Sequence, residues 1–164
     1  MTIEDKMNVA LHEAKKALEK GELPIGAAAF LDDKLLCASH TSEVEDRQLL
    51  VHAELKVLQQ VDTMNIPFGK REHIELFTNL EPCMMCLGAC VASFIGTVYY
   101  GLSSGSDGAA NWAEKTWKEH HEVSAFQLPL LTGGIQESES RLLFEQYAEK
   151  HKSGPMVEWV QTLL

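Results

Sequence analysis

Two short fragments of this 164-residue chain carry side chains whose types and spacing can do chemistry: His52-Ala53-Glu54 and Pro82-Cys83-Met84-Met85-Cys86. Each opens a predicted helix directly after a loop or strand. Cysteines three apart share one helical face, so both sulfurs can reach a single ion. A helix N-terminus favours thiolate over thiol through its unpaired N–H groups and dipole, and thiolate is the form that binds metal. Pro82 fits just inside the predicted helix start, where its missing N–H costs nothing. His52 adds a borderline-soft nitrogen from a second helix, and one nitrogen with two sulfurs suits Zn²⁺.

Three protein ligands are the informative count. Structural zinc sites are usually closed by four, whereas catalytic sites leave one position to water, whose pKa the ion lowers toward ~7. Glu54, two residues from the histidine, is placed to move protons between that water and a substrate. Each fragment alone reads several ways. A lone Cys-x-x-Cys fits a redox pair, a structural site or two buried small residues, and a lone His-x-Glu says less. Together, with Pro ahead of the first Cys, they form His-x-Glu…Pro-Cys-x-x-Cys, the pattern of the zinc deaminases.

Such a site needs a scaffold that brings two helix starts together. Ile3, Met7, Ala10, Leu11, Ala14 and Leu18 recur at helical spacing over 3–20, with Gly21 as the stop. Residues 24–31 and 35–38, joined through Asp32-Asp33, read as a β-hairpin. A polar, acidic loop (40–50) leads into a helix over 51–62 marked by Leu55, Leu58 and Val61, and a loop with Asn65, Pro67 and Gly69 fills 63–72. Residues 74–78 alternate as a strand does; a helix over 82–94 and a β-prone strand over 97–100 follow. Residues 101–108, rich in Gly and Ser, read as a flexible loop. A short helix is predicted at 112–121, a strand at 125–131 and a long helix at 136–152, and a last piece from Pro155 holds Trp159. With no repeat and no linker, 1–164 reads as one domain. Strands interleaved with helices specify an α/β layer fold, with helices on both faces of one sheet.

Composition bounds the partners. Lys+Arg number 14 and Asp+Glu 24, for a net charge of −10 and a pI near 5.1. A 45% hydrophobic and 23% charged make-up is ordinary for a globular protein and excludes collagen-like, low-complexity and disulfide-scaffold classes. A chain of this size buries roughly two-thirds of its unfolded surface, enough for a real core. Only Lys15-Lys16 and Lys70-Arg71 are adjacent basic pairs. Affinity for nucleic acid comes mostly from Lys and Arg displacing phosphate counterions, so this balance disfavours such a partner. The N-terminus lacks the basic and apolar regions of a signal peptide. Residues 82–106 hold no charge and are long enough to cross a bilayer. Pro82, the glycines at 88, 96, 101 and 105, and a change to β-prone residues after Gly96 point instead to a buried helix followed by a buried strand. No membrane span and a cytoplasmic location are expected.

Over residues 3–111 the chain resembles the cytidine deaminase-like superfamily, in the branch holding bacterial tRNA adenosine deaminases, guanine deaminases and fungal cytosine deaminase. The likeness is carried by Leu23-Pro24-Ile25-Gly26-Ala27, His52-Ala53-Glu54, Leu80-Glu81-Pro82-Cys83-Met84-Met85-Cys86 and Gly108-Ala109-Ala110. It implies a three-layer α/β/α fold with a five-stranded mixed sheet, usually as a homodimer. It further implies one Zn²⁺ per chain on His52, Cys83 and Cys86, with Glu54 as proton shuttle. Substrate contacts are implied for the Ala53 N–H, for Gly26 and Ala27, and for Asn79, Glu81 and Pro82. Trp159, a C-terminal aromatic, would close over the base, and His40 and Thr41 would meet it from the loop after the hairpin.

Two positions depart from that branch. Thr41 stands where an Asn usually holds the base or ribose, and Ser104 stands where the tRNA enzymes tend to carry Asp. A hydroxyl offers different donor geometry from an amide. With the acidic charge, these departures order the readings: a small nucleobase, nucleoside or related amino-heterocycle as substrate, then a tRNA wobble adenosine, then a non-catalytic zinc-stabilised binding domain. Cys37 and Cys90 read as buried small residues, Trp112 and Trp117 as packing, and His120-His121 as a solvated helix end.

Overall fold

The two helix starts meet because the chain lays one sheet between two helical layers. The computed structural model describes residues 1–120 and 126–164. Helix α1 (Ile3–Glu19) begins on a capping box: Thr2 accepts from the Asp5 N–H at 3.1 Å, and Asp5 accepts from the Thr2 N–H at 2.9 Å. Strand β1 (Gly26–Leu31) turns into β2 (Lys34–His40) through Asp32 and Asp33, both left-handed at φ 51° and 61°. Two left-handed residues give a two-residue loop the twist its strands need. There follow α2 (Glu43–Asp46), α3 (Ala53–Thr63), α4 (Phe68–Arg71), β3 (Ile74–Leu80), α5 (Met84–Ala92), β4 (Thr97–Leu102), α6 (Ala110–His120), β5 (Leu130–Thr132), α7 (Glu137–His151) and α8 (Pro155–Gln161).

The sheet runs β2-β1-β3-β4-β5, with β1 antiparallel to both neighbours and β3, β4 and β5 parallel. This is the five-stranded mixed sheet expected. Strand alternation assigns its faces. Ala27, Ala29, Ile74, Leu76 and Val98 pack on Val57, Leu58 and Val61 of α3 and on Cys90 of α5. The opposite parity, Ala28, Phe30 and Phe77, packs on Met7, Ala10, Leu11 and Ala14 of α1 and on Leu143 of α7. A third cluster joins Phe144 and Tyr147 of α7 and Val157 and Val160 of α8 to Leu80 and Leu102. It anchors α8 at the C-terminal ends of β3 and β4, the end of a parallel sheet where sites form.

Several boundaries differ from expectation. Pro82 precedes the cap residue Cys83 instead of lying inside α5. The strand predicted at 125–131 is realised only at Leu130–Thr132. Pro129 has no N–H for the ladder, and pairing starts where Leu130 donates to the Gly96 carbonyl at 2.9 Å. Residue 125 and His121 lie outside the described residues. The loops at 40–50 and 63–72 each contain a one-turn helix. The 101–108 segment is tied down: the Glu81 carboxylate accepts from the backbone N–H of Ser104 and of Ala110, each at 2.9 Å. Among the described residues no helix is long and apolar enough to cross a membrane; residues 82–106 form α5 and β4.

Candidate metal centre and pocket

His52 caps α3 and Cys83 caps α5, while Cys86 lies in the first turn of α5. Their ligand atoms all lie within 4.8 Å of one another. His52 Nδ1 is 3.8 Å from Cys83 Sγ and 3.5 Å from Cys86 Sγ. Tetrahedral zinc with Zn–N about 2.05 Å and Zn–S about 2.3 Å sets N···S separations of about 3.6 Å, so the donor set fits that ion. The three groups share protons unequally. The Cys83 thiol is held down to about 4, chiefly by the hydrogen bond from Cys86, which outweighs burial, with His52 adding to it. Cys86 is pushed strongly up, first by its neighbour Cys83 and then by burial. The Cys83 hydrogen bond raises His52 to about 9 against its burial. A trio holding exchangeable protons in this way releases them when a cation binds.

Glu54 sits in the first turn of α3, only 4% exposed. Thr78 shares the strand parity of Ile74 and Leu76, so its hydroxyl points at α3 and donates to Glu54 Oε1 at 3.2 Å. Cys86 Sγ approaches Oε2 at 3.6 Å. Burial pushes this carboxyl above its ordinary value. A cleft of about 440 Å³ opens over these groups, with apolar walls from Leu23, Ile25, Leu80 and Met156. Thr41, Glu43, Glu54, Glu81 and Asp107 supply its polar side, and no Lys or Arg is among the described residues lining it. Trp159 Nε1 donates to Ser106 Oγ at 3.1 Å and to Asp107 Oδ1 at 3.3 Å, so α8 and the loop after β4 meet at one wall. A wider depression of about 900 Å³ around Phe68 and Phe94 contains none of the motif residues.

The family model of the cytidine and deoxycytidylate deaminase zinc-binding region matches residues 1–102. The chain belongs to this family. It is accordingly a zinc-dependent deaminase, a hydrolase of the C–N bond of cyclic amidines. Among curated relatives, the tRNA-specific adenosine deaminase of Bacillus subtilis is 30% identical over 146 residues, 89% of each chain. That of Rickettsia typhi is 28% identical over 149 residues, 90% of this chain and 98% of the relative. Among solved structures, a tRNA:A34 deaminase superposes with a TM-score of 0.72 at 29% identity, covering 85% of this chain and 98% of the other. Guanine deaminase from Nitrosomonas europaea shares the fold, with a TM-score of 0.69 at 23% identity over 90% of this chain and 85% of that one.

Within this deaminase, Ala53, Thr41, Glu81 and Trp159 line the cleft beside His52, Glu54 and Cys83. Thr41 is already engaged, donating its hydroxyl to the Val51 carbonyl at 3.2 Å. Five other expected contacts lie off the cleft. His40 turns its ring to α1, where Nδ1 meets Glu13 Oε2 at 3.0 Å. Gly26 is needed for packing on α1, since a Cβ there would lie 2.2 Å from the Ala10 carbonyl oxygen. Ala27 is buried against the α3 layer. Asn79 has the opposite parity to Thr78; its Oδ1 accepts from the Gly26 N–H at 2.8 Å and its Nδ2 donates to the Pro24 carbonyl at 2.9 Å. Pro82 braces the start of α6, its carbonyl accepting from the Ala109 N–H at 3.0 Å. Sequence reasoning missed Glu43, Asp107 and Met156. Asp107 had a readable signal, being the first charged residue after Glu81; the other two had none.

Proposed function

We propose that this deaminase acts on a small, phosphate-free amino-heterocycle, a nucleobase, nucleoside or relative, and releases ammonia. The observation that carries the reading is the charge of the cleft: Glu43, Glu54, Glu81 and Asp107 line it without a Lys or Arg among its described residues. Two like charges 4 Å apart repel by about 4 kcal/mol at an effective dielectric of 20, so an unpaired phosphate is opposed there. A ring bearing amine and N–H donors meets the oxygens of Glu43, Glu54 and Asp107 instead, those of Glu81 being held by the Ser104 and Ala110 N–H groups. In this reading residues 1–164 form one domain, and His52, Cys83 and Cys86 hold the zinc. Zinc, when bound, acidifies water and makes hydroxide available at neutral pH. Glu54 takes the proton of the attacking water at its carboxylate and delivers it to the ring nitrogen beside the amine-bearing carbon. The hydroxyl proton then passes through Glu54 to the amine. Water is consumed, the C–N bond breaks and ammonia leaves, with a carbonyl in its place. Trp159 and Met156 exclude bulk water from the ring.

A tRNA wobble adenosine is the second reading, favoured by the relatives' names. A flipped base fits a small pocket if the flanking strand finds cations elsewhere. The test is ammonia release from guanine, cytosine, adenine, their nucleosides, aminated triazines and pterins, and a tRNA anticodon stem-loop, each beside Glu54→Gln. Release from a small molecule, falling 10²–10⁴-fold in the variant at unchanged zinc content, is expected. Release from the stem-loop alone overturns the first reading in favour of the second. Silence across the panel with zinc bound returns the binding-domain alternative.

A further inference from the structure

Glu43 lines the cleft and has no part in the proton path above. Its Oε1 lies 3.3 Å from His52 Nε2, the ring nitrogen turned away from the sulfurs, while Nδ1 faces both Cys83 and Cys86. A single-turn helix does not hold a side chain in place unaided, and α2 is tied from outside. Glu22, 1% exposed in the loop after α1, accepts from the Val44 N–H at 3.0 Å and from the Glu45 N–H at 2.7 Å, one on each carboxylate oxygen. On the other side Ser42 donates its N–H to the Val51 carbonyl at 3.3 Å, and Lys56 donates to Ser42 Oγ at 2.8 Å. Burying a carboxylate as completely as Glu22 is costly unless its acceptors are used. Here both are used to fix the turn that begins with Glu43.

We infer that Glu43 is a positioning residue for the metal ligand His52. It accepts the Nε2–H, which holds the imidazole in the tautomer with a free Nδ1 lone pair aimed between the two sulfurs, and Glu22 is the strut that keeps it there. Outer carboxylates of this kind raise ligand basicity and hold ring orientation, and their loss typically weakens metal binding 10–100-fold. The inference rests on His52 being a ligand, as in the proposed function.

The experiment measures zinc affinity by chelator competition for the wild type, Glu43→Ala, Glu43→Gln and Glu22→Ala, with circular dichroism verifying the fold. Long-range ¹H–¹⁵N spectra of the zinc-loaded proteins report the His52 tautomer. Glu43→Ala binds zinc 10–100-fold more weakly, whereas Glu43→Gln, whose amide oxygen still accepts, stays within a few-fold of the wild type. Glu22→Ala weakens binding in the same direction without touching His52, and the wild-type spectrum shows an Nε2–H. If the wild type binds zinc and Glu43→Ala binds it as tightly, the inference fails and the deaminase reading stands. Glu43→Gln as weak as Glu43→Ala overturns it too, since charge and not acceptor geometry would then be at work. A wild type that binds no zinc overturns both.

Discussion

Asn79→Ala separates a scaffold residue from a substrate contact. The carboxamide is fully buried and satisfies two backbone groups of the segment entering β1, the Gly26 N–H and the Pro24 carbonyl. Truncation strands both. Each buried, unsatisfied polar group costs about 1–3 kcal/mol, so the pair costs about 2–6 kcal/mol. For a domain of this size each kcal/mol lowers Tm by about 2–4 °C, which puts the smallest expected drop near 4 °C. The assay is thermal and urea unfolding of the zinc-loaded protein, together with KM measured well below the variant's Tm on whichever substrate releases ammonia. A large loss of stability with KM within about twofold is expected, because Asn79 bonds the chain and not the cleft. A Tm shift below about 2 °C combined with a tenfold rise in KM would falsify the argument and return Asn79 to substrate binding. Asn79→Asp keeps an acceptor for Gly26 but turns an oxygen on the Pro24 carbonyl, so it should destabilise at least as much as alanine.

Prolonged chelation should remove about one zinc per chain and abolish ammonia release, and Cys83→Ala should reproduce both, since two ligands hold a divalent ion poorly; full zinc content in Cys83→Ala, read by metal analysis, would count against the ligand set. Glu13, which is not among the residues lining the cleft, predicts a pH effect on stability. Burial raises its carboxyl, but hydrogen bonds from Lys16 at 2.6 Å and His40 at 3.0 Å outweigh it and hold the group below 4.5. A carboxyl depressed in the folded state adds stability above its unfolded pKa and loses it as pH falls through the folded value. Glu13→Gln should therefore be less stable than the wild type at neutral pH, with the gap closing below about pH 4.5. A gap that stays constant through acid unfolding curves would remove the carboxylate from the account.

How much of this was legible depended on whether a feature is local. His52, Glu54, Cys83 and Cys86 each lie at or within one turn of a helix start, where capping and thiolate chemistry are properties of a few consecutive residues. The two-residue turn and the apolar alternation were local as well, and so the hairpin and the strands β3 and β4 were readable, whereas their joining into one mixed sheet came from the resemblance. Asn79 shows a local signal left unused. It adjoins the Leu80-Glu81-Pro82-Cys83 motif and looks like part of it, yet the period of two that places Thr78 on Glu54 turns Asn79 to the opposite face. His40 lies off the cleft for a different reason: its partner Glu13 belongs to α1 and leaves no mark near residue 40. The walls of the cleft are non-local throughout. Trp159 meets Asp107 from a helix whose Val157 and Val160 pack on the ends of β3 and β4, and Glu43 lies beside His52 on a turn whose N–H groups Glu22 accepts. No periodicity records such pairings, since each is set by how finished elements dock. The chemistry of this enzyme was therefore written in motifs, whereas its choice of substrate lies in contacts between segments that folding alone brings together.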